Sequence, residues 1–304
     1  MANDYHEDAS IPAQRSRMTR RRLVLMFTAI ILISGIYLGS IAFFAQVSDL
    51  SNWQDPLMTR KAGMAWQAPS LGDLPDTDAE LTPNGKKNRA KTESIRRGAL
   101  LFNETALYAA TNSRARVSCS SCHAEGGMQP YAAPMVGLPA KFPMYNKRAG
   151  HVISLKDRIE ECFVRSQNGD PLDPNGKTMQ SYVDYINWVS MPEPGRRPFE
   201  GRGLISMPKL EPNPAHGSAI YAAQCAGCHG EYGEGKLPVF PPVWGPASFN
   251  DGAGMNDVHK MAAFVQHNMP QNRMGILTPQ QAYDVAAYIH LQPRPKFNKA
   301  YAHY

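Results

Sequence analysis

Cys119-Ser120-Ser121-Cys122-His123 is a C-x-x-C-H pentapeptide, and it recurs once as Cys225-Ala226-Gly227-Cys228-His229. Two thiols three positions apart can both reach the vinyl groups of one porphyrin and form thioethers. The histidine that follows then sets an imidazole over one face of the iron. One C-x-x-C alone leaves a zinc half-site or a disulfide open. Two complete pentapeptides, each with helical sequence before it, predict two covalently attached haem c groups. Cys119 and Cys122 with His123 would hold the first, Cys225 and Cys228 with His229 the second. The motifs start 106 residues apart, the length of one small cytochrome. The expected fold is therefore mainly α, with two tandem class I cytochrome c-like domains after an N-terminal transmembrane helix.

Working outward, each motif has the same surroundings. Arg89–Ala110 carries Ile95, Ala99, Phe102, Ala106 and Ala109 on one helical stripe and leads into the first motif. Leu155–Ser166 and Thr178–Val189 read as the later helices of that domain. Ala215–Ala223 leads into the second motif, followed by helices at Val258–His267 and Pro279–Leu291. Between them, Met191–Pro214 holds Pro192, Pro194, Pro198, Pro208, Pro212 and Pro214, and is excluded from helix interior or central strand. The expected domains are thus residues 89–190 and 215–304, joined by a linker at 191–214. Strand signals are weak throughout.

Ahead of the cytochromes, residues 1–22 form a polar tail ending in Arg20-Arg21-Arg22, and Leu23–Val47 is uncharged. About 20 apolar residues span a bilayer, so 23–47 is long enough for an anchor. Arginines before it and none just after place the N-terminus in the cytoplasm and the haem domains outside it. The other reading is a cleaved signal peptide, with Ser40-Ile41-Ala42 as a small-residue cleavage site. Length favours an anchor, which puts the protein on the periplasmic face of a bacterial inner membrane. Residues 48–88, rich in Pro, Gly, Asp and Asn, read as a tether. The formal net charge is +6. The basic tail accounts for part of it, and four haem propionates would bring the exported part near neutrality. A nucleic-acid footprint, which needs basic residues gathered on one face, is not expected.

A haem that only relays electrons usually carries a second axial ligand. In the second domain Met269 lies 40 residues past His229, after a helix, with Met274 and His267 as alternatives. Applying the same register to the first domain lands beside Cys162, 39 residues past His123. This fifth cysteine is not needed for haem attachment. As a thiolate it would lower the haem potential, which a plain relay does not require. Met144, Met179 and His151 are the alternatives, with Cys162 then a small buried hydrophobe. Arg148, Arg158 and Arg165 flank it. Positive neighbours favour a thiolate, and guanidinium forks match oxyanions.

The stretches Phe142-Pro143-Met144-Tyr145, Arg148-Ala149-Gly150-His151-Val152-Ile153-Ser154-Leu155 and Arg158–Gly169 resemble the dihaem thiosulfate dehydrogenases. So do Trp66-Gln67-Ala68-Pro69 and Leu74-Pro75-Asp76, and the likeness covers roughly residues 64–292. The resemblance implies an oxidoreductase joining two thiosulfate ions to tetrathionate with release of two electrons, or running the reverse. Chemistry would occur at the first haem, ligated by His123 and Cys162. Arg148 and Arg158 would hold sulfonate oxygens, with Ser166 as a polar contact, and Cys162 would bond transiently to substrate sulfur. The second haem, with His229 and Met269, would pass electrons to an acceptor cytochrome or a membrane oxidase. Some members carry lysine before the distal methionine; here it is Asn268. A membrane anchor is also unusual in that family. The competing readings are a non-enzymatic dihaem carrier feeding a terminal oxidase, and an enzyme of another sulfur compound. The arginine-flanked cysteine, which a carrier does not need, separates them.

Overall fold

The computed structural model describes residues 89–190 and 199–304. The basic tail, the 23–47 anchor and the 48–88 tether all lie outside the described residues. Among the described residues, no helix is long and apolar enough to cross a membrane.

Six helices carry the architecture: α1 (Arg89–Asn103), α2 (Leu155–Arg165), α3 (Lys177–Ser190), α4 (Pro214–Gln224), α5 (Val258–Asn268) and α6 (Pro279–His290). They fall into two modules, and in each the first and last helices cross. The same local device permits both crossings. A Cβ on Gly98 of α1 would stand 2.1 Å from the Ser181 carbonyl oxygen of α3, and one on Gly217 of α4 would stand 2.0 Å from the Asp284 carbonyl oxygen of α6. Only glycine lets the backbones approach so closely.

Each crossing is sealed by its own apolar core. Ile95, Phe102, Phe163, Tyr182 and Tyr185 fill the first. Tyr221, Trp244, Met261, Val285 and Ile289 fill the second. The buried tyrosine hydroxyls are satisfied, Tyr182 Oη donating to Leu101 O at 3.0 Å and Tyr185 Oη to Gly126 O at 2.9 Å.

The expected helix before the first motif is shorter than its periodicity suggested. It stops at Asn103 and resumes as one turn at Thr105–Tyr108. Thr105 there donates its hydroxyl to Leu101 O and accepts from Cys119 N–H, spending the break on fixing the motif. A hairpin appears where strand signals were weak. Strands β1 (Met144–Asn146) and β2 (His151–Ile153) pair antiparallel with Asn146 opposite His151. The linker residues described, 199–213, hold no helix or strand. They run along the loop after the first motif, where Tyr131 and Ala133 N–H donate to Gly201 and Gly203 carbonyls at 2.6 and 2.8 Å.

Candidate active site

The first motif forms a tight turn, with His123 N–H donating to Cys119 O at 2.9 Å. The imidazole is then set by a second bond, Nδ1 to Ala133 O at 2.7 Å. A carbonyl only accepts, so Nδ1 carries the proton and Nε2 keeps its lone pair free. Burial pushes His123 down to about 4, and the nearby Arg158 charge pushes the same way against the Ala133 bond. The ring is neutral at physiological pH, as a metal ligand must be. Ala133 reaches this position at φ 47°, in the left-handed region alongside Glu125 and Tyr131. The strained loop thus aims a carbonyl at the histidine. Burial also pushes the Cys119 and Cys122 thiols up to about 12.

The second motif repeats this arrangement from unrelated loop sequence. His229 Nδ1 bonds Pro241 O at 2.8 Å, and burial lowers the imidazole's pKa. Tyr221 of α4 donates its hydroxyl to Gly230 O at 2.7 Å and packs on Trp244, clamping the motif to the helix before it.

Helix α2 supplies Arg158, Ile159, Cys162 and Phe163 to the wall of a cleft that Cys119, His123 and Gln167 also line. Its lining is mostly apolar, as the surroundings of a porphyrin should be. Helix α2 starts at a capping box, with Ser154 Oγ accepting from Asp157 N–H and Asp157 Oδ2 accepting from Ser154 N–H. Arg158 and Cys162 share its cleft face, one turn apart. The Arg158 guanidinium has its pKa raised, first by Cys162 and then by Glu161, to which NH1 donates at 3.0 Å.

Of the other ligand alternatives, Met144 and His151 are exposed on the hairpin and Met179 is buried in the first core. None of the three lines the cleft. Met135 does line it, two residues past the carbonyl that holds His123.

The flanking arginines separate. Arg158 lines the cleft, and Arg148 does not. Arg148 rides the β1–β2 turn, where its NH1 donates to Gly252 O of the second module at 3.2 Å. Arg165, read from sequence as part of the same cluster, turns away. It is buried, donates to Tyr304 O at 2.9 Å and stacks over Phe297 at 4.1 Å. Its position at the end of α2 points it to the tail packed there. Ser166 caps α2 through its N–H to Cys162 O, outside the cleft lining. Sequence reasoning missed Gln167, Lys141 and Arg202, all on the cleft wall. Gln167 lies in the quoted 158–169 stretch, but nothing in the pattern separates a cleft-lining glutamine from a surface one.

In the second module Met269 caps the end of α5 and packs against the module core. Met274 is 56% exposed, and His267 stacks edge-on against Tyr131 at 4.8 Å. Met269 also joins a small cluster with Ala124, Ala132 and Phe264, which spans the two modules. Ala124 directly follows His123. Asn268, 1% exposed, ties the same junction: its Oδ1 accepts from Gln129 at 2.7 Å and its Nδ2 donates to Tyr131 O at 3.2 Å.

Two modules, each with a C-x-x-C-H turn and a histidine presenting Nε2, define a dihaem c-type cytochrome, and two haem c groups are its covalent cofactors. Residues 104–194 match the family described as SoxA/TsdA, cytochrome c domain. Residues 212–289 match that described as cytochrome C oxidase, cbb3-type, subunit III. The chain is 36% identical over 249 residues to a thiosulfate dehydrogenase of Psychrobacter arcticus, covering 80% of this chain and 75% of that one. It is 37% identical over 231 residues to a thiosulfate dehydrogenase of Allochromatium vinosum, covering 73% and 84%. The solved thiosulfate dehydrogenase (TsdBA) of Marichromatium purpuratum, in its as-isolated form, superposes with a TM-score of 0.64 at 34% identity. That likeness covers 71% of this chain, which spans about half (49%) of the solved one. The chain belongs to the thiosulfate dehydrogenase family and is an oxidoreductase.

Proposed function

We propose that this protein couples two thiosulfate ions into tetrathionate at the cleft holding His123 and Cys162, and passes the two released electrons through the second module. The observation that carries the reading is a cysteine not needed for haem attachment, lining the same cleft as His123, with an arginine one turn away on the same helix. The haem supplies a one-electron acceptor when bound. Everything else falls to the chain. His123, with Nε2 left free by the Ala133 carbonyl, and Cys162 would hold the haem iron. Arg158 draws the sulfonate end of a dianion into an apolar cleft and offsets the repulsion between two such ions. Arg148 and Ser166, which do not line the cleft, would assist only from outside it. The same groups serve tetrathionate reduction.

Electrons leave along the cluster from Ala124 through Phe264 to Met269, which with His229 would ligate the second haem. From there they pass to an acceptor cytochrome or a membrane oxidase. Residues 23–47 would anchor the protein to the periplasmic face of the inner membrane, with residues 1–22 cytoplasmic and 48–88 as tether to the domains at 89–190 and 215–304. This supports delivery to a membrane-bound acceptor.

The test is anaerobic. Oxidised, haem-loaded protein is mixed with thiosulfate while the haem bands are followed and tetrathionate is assayed. Haem reduction with stoichiometric tetrathionate is expected. A silent spectrum in protein that an artificial reductant still reduces would contradict the reading and leave an electron carrier.

A further inference from the structure

The residue beside Cys162 is a carboxylate, which a site for dianions should avoid. Glu161 is 2% exposed, and its Oε2 accepts from two donors, Arg158 NH1 at 3.0 Å and Asn146 Nδ2 at 2.8 Å. Asn146 ends β1. Its Oδ1 accepts from the backbone N–H groups of Arg148 and Ala149 at 2.8 and 3.3 Å, which holds the hairpin turn. One buried oxygen therefore ties the cleft arginine on α2 to the turn that carries the second arginine.

We infer that Glu161 is a positioning residue for the anion site: it sets the Arg158 guanidinium toward the Cys162 cleft and, through Asn146, fixes the turn bearing Arg148. The inference rests on the reading of Arg158 as an oxyanion ligand. Arg158 keeps 44% of its side chain exposed, so without a fixed partner its long chain would sample many rotamers. A carboxylate holding one edge of the fork leaves the other N–H groups for the substrate. A buried carboxylate is itself tolerated only when paired and bonded, and both donors here are supplied.

Direction separates this role from a bystander's. A bystander carboxylate repels a dianion, so neutralising it would tighten binding. A positioning carboxylate gives the opposite sign. In E161Q we expect KM for thiosulfate to rise about tenfold with a much smaller change in kcat. The affinity of the oxidised protein for tetrathionate, which it has no electrons to reduce, should fall by a similar factor when titrated by calorimetry. Because Glu161 acts through Arg158, E161Q added to R158Q should cost little more than R158Q alone. Tighter or unchanged binding in E161Q, with R158Q weakened, overturns the inference and leaves the anion site standing. Unchanged binding in R158Q overturns the anion site itself. If E161Q does not accumulate with both haems, N146A on the exposed hairpin carries the test. A KM raised about threefold supports the inference, and an unchanged KM and tetrathionate affinity overturn it.

Discussion

Single residues decide the chemistry of the two haem sites. Replacing Cys162 with glycine should abolish thiosulfate turnover while both haems stay attached, because Cys119, Cys122 and His123 are untouched. Haem content against tetrathionate formation checks this, and retained activity would remove Cys162 from the mechanism. R158Q should raise KM by about 10- to 100-fold, the worth of one charge-assisted bond of roughly 1.5–3 kcal/mol. The place of Cys162 on the cleft wall was legible because the internal repeat gives its register and the chain's five cysteines leave one over after haem attachment. Glu161 was not, since an acid on an amphipathic helix ordinarily faces solvent. Its burial depends on Asn146 and Arg158, brought to it by a hairpin whose three-residue strands are too short for alternation to show. Arg165 illustrates the opposite failure. Nearness in sequence put it with the anion site, but the last turn of α2 faces the chain's final residues, and its guanidinium is spent on Tyr304 and Phe297.

At the scale of elements, the two helix crossings are the stability-determining contacts. Ala at position 98 would drive a Cβ to 2.1 Å from the Ser181 carbonyl, so α1 and α3 must separate. We expect G98A to cost about 3 kcal/mol or more, lowering the melting midpoint by roughly 6 °C or more. The α4–α6 joint adds a pH dependence. Asp284 is buried, and although burial alone raises its pKa, the Asn213 N–H, Gln280 and His216 bring it below the usual carboxylate range. A folded pKa below the unfolded one gives stability that is present above the unfolded value of about 4. That contribution is lost as pH falls through the folded value. Thermal melts below about pH 4 should therefore fall more steeply in the wild type than in D284N. The helices themselves were legible to within a residue or two at most ends, because periodicity and caps such as Ser154 and Thr278 are local. The early end of α1 was not, since Ala106 and Ala109 continue its stripe. It breaks because Thr105 is recruited to the haem motif.

Across the whole molecule, one of the contacts between the two modules is a junction built from Gln129, Tyr131, Asn268 and the Ala124–Phe264–Met269 cluster. It joins the residue after one proximal histidine to the proposed distal ligand of the other haem. F264A should leave both haems attached but slow electron transfer from the first to the second, measured by stopped-flow reduction at separate haem bands. Tandem cytochromes were legible from two pentapeptides and their spacing. The junction was not, because Asn268 reads in sequence only as a polar residue before a methionine, and its two bonds to the other module run to a loop 139 and 137 residues away.

The most direct test of the central claim is the electron paramagnetic resonance spectrum of the oxidised protein beside that of C162G. A thiolate opposite His123 predicts two distinct low-spin signals in the wild type. One belongs to a histidine–thiolate haem and disappears in C162G, while the other is unchanged. A C162G spectrum identical to the wild type would contradict the claim, taking Cys162 off the iron and the proposed chemistry away from the first haem.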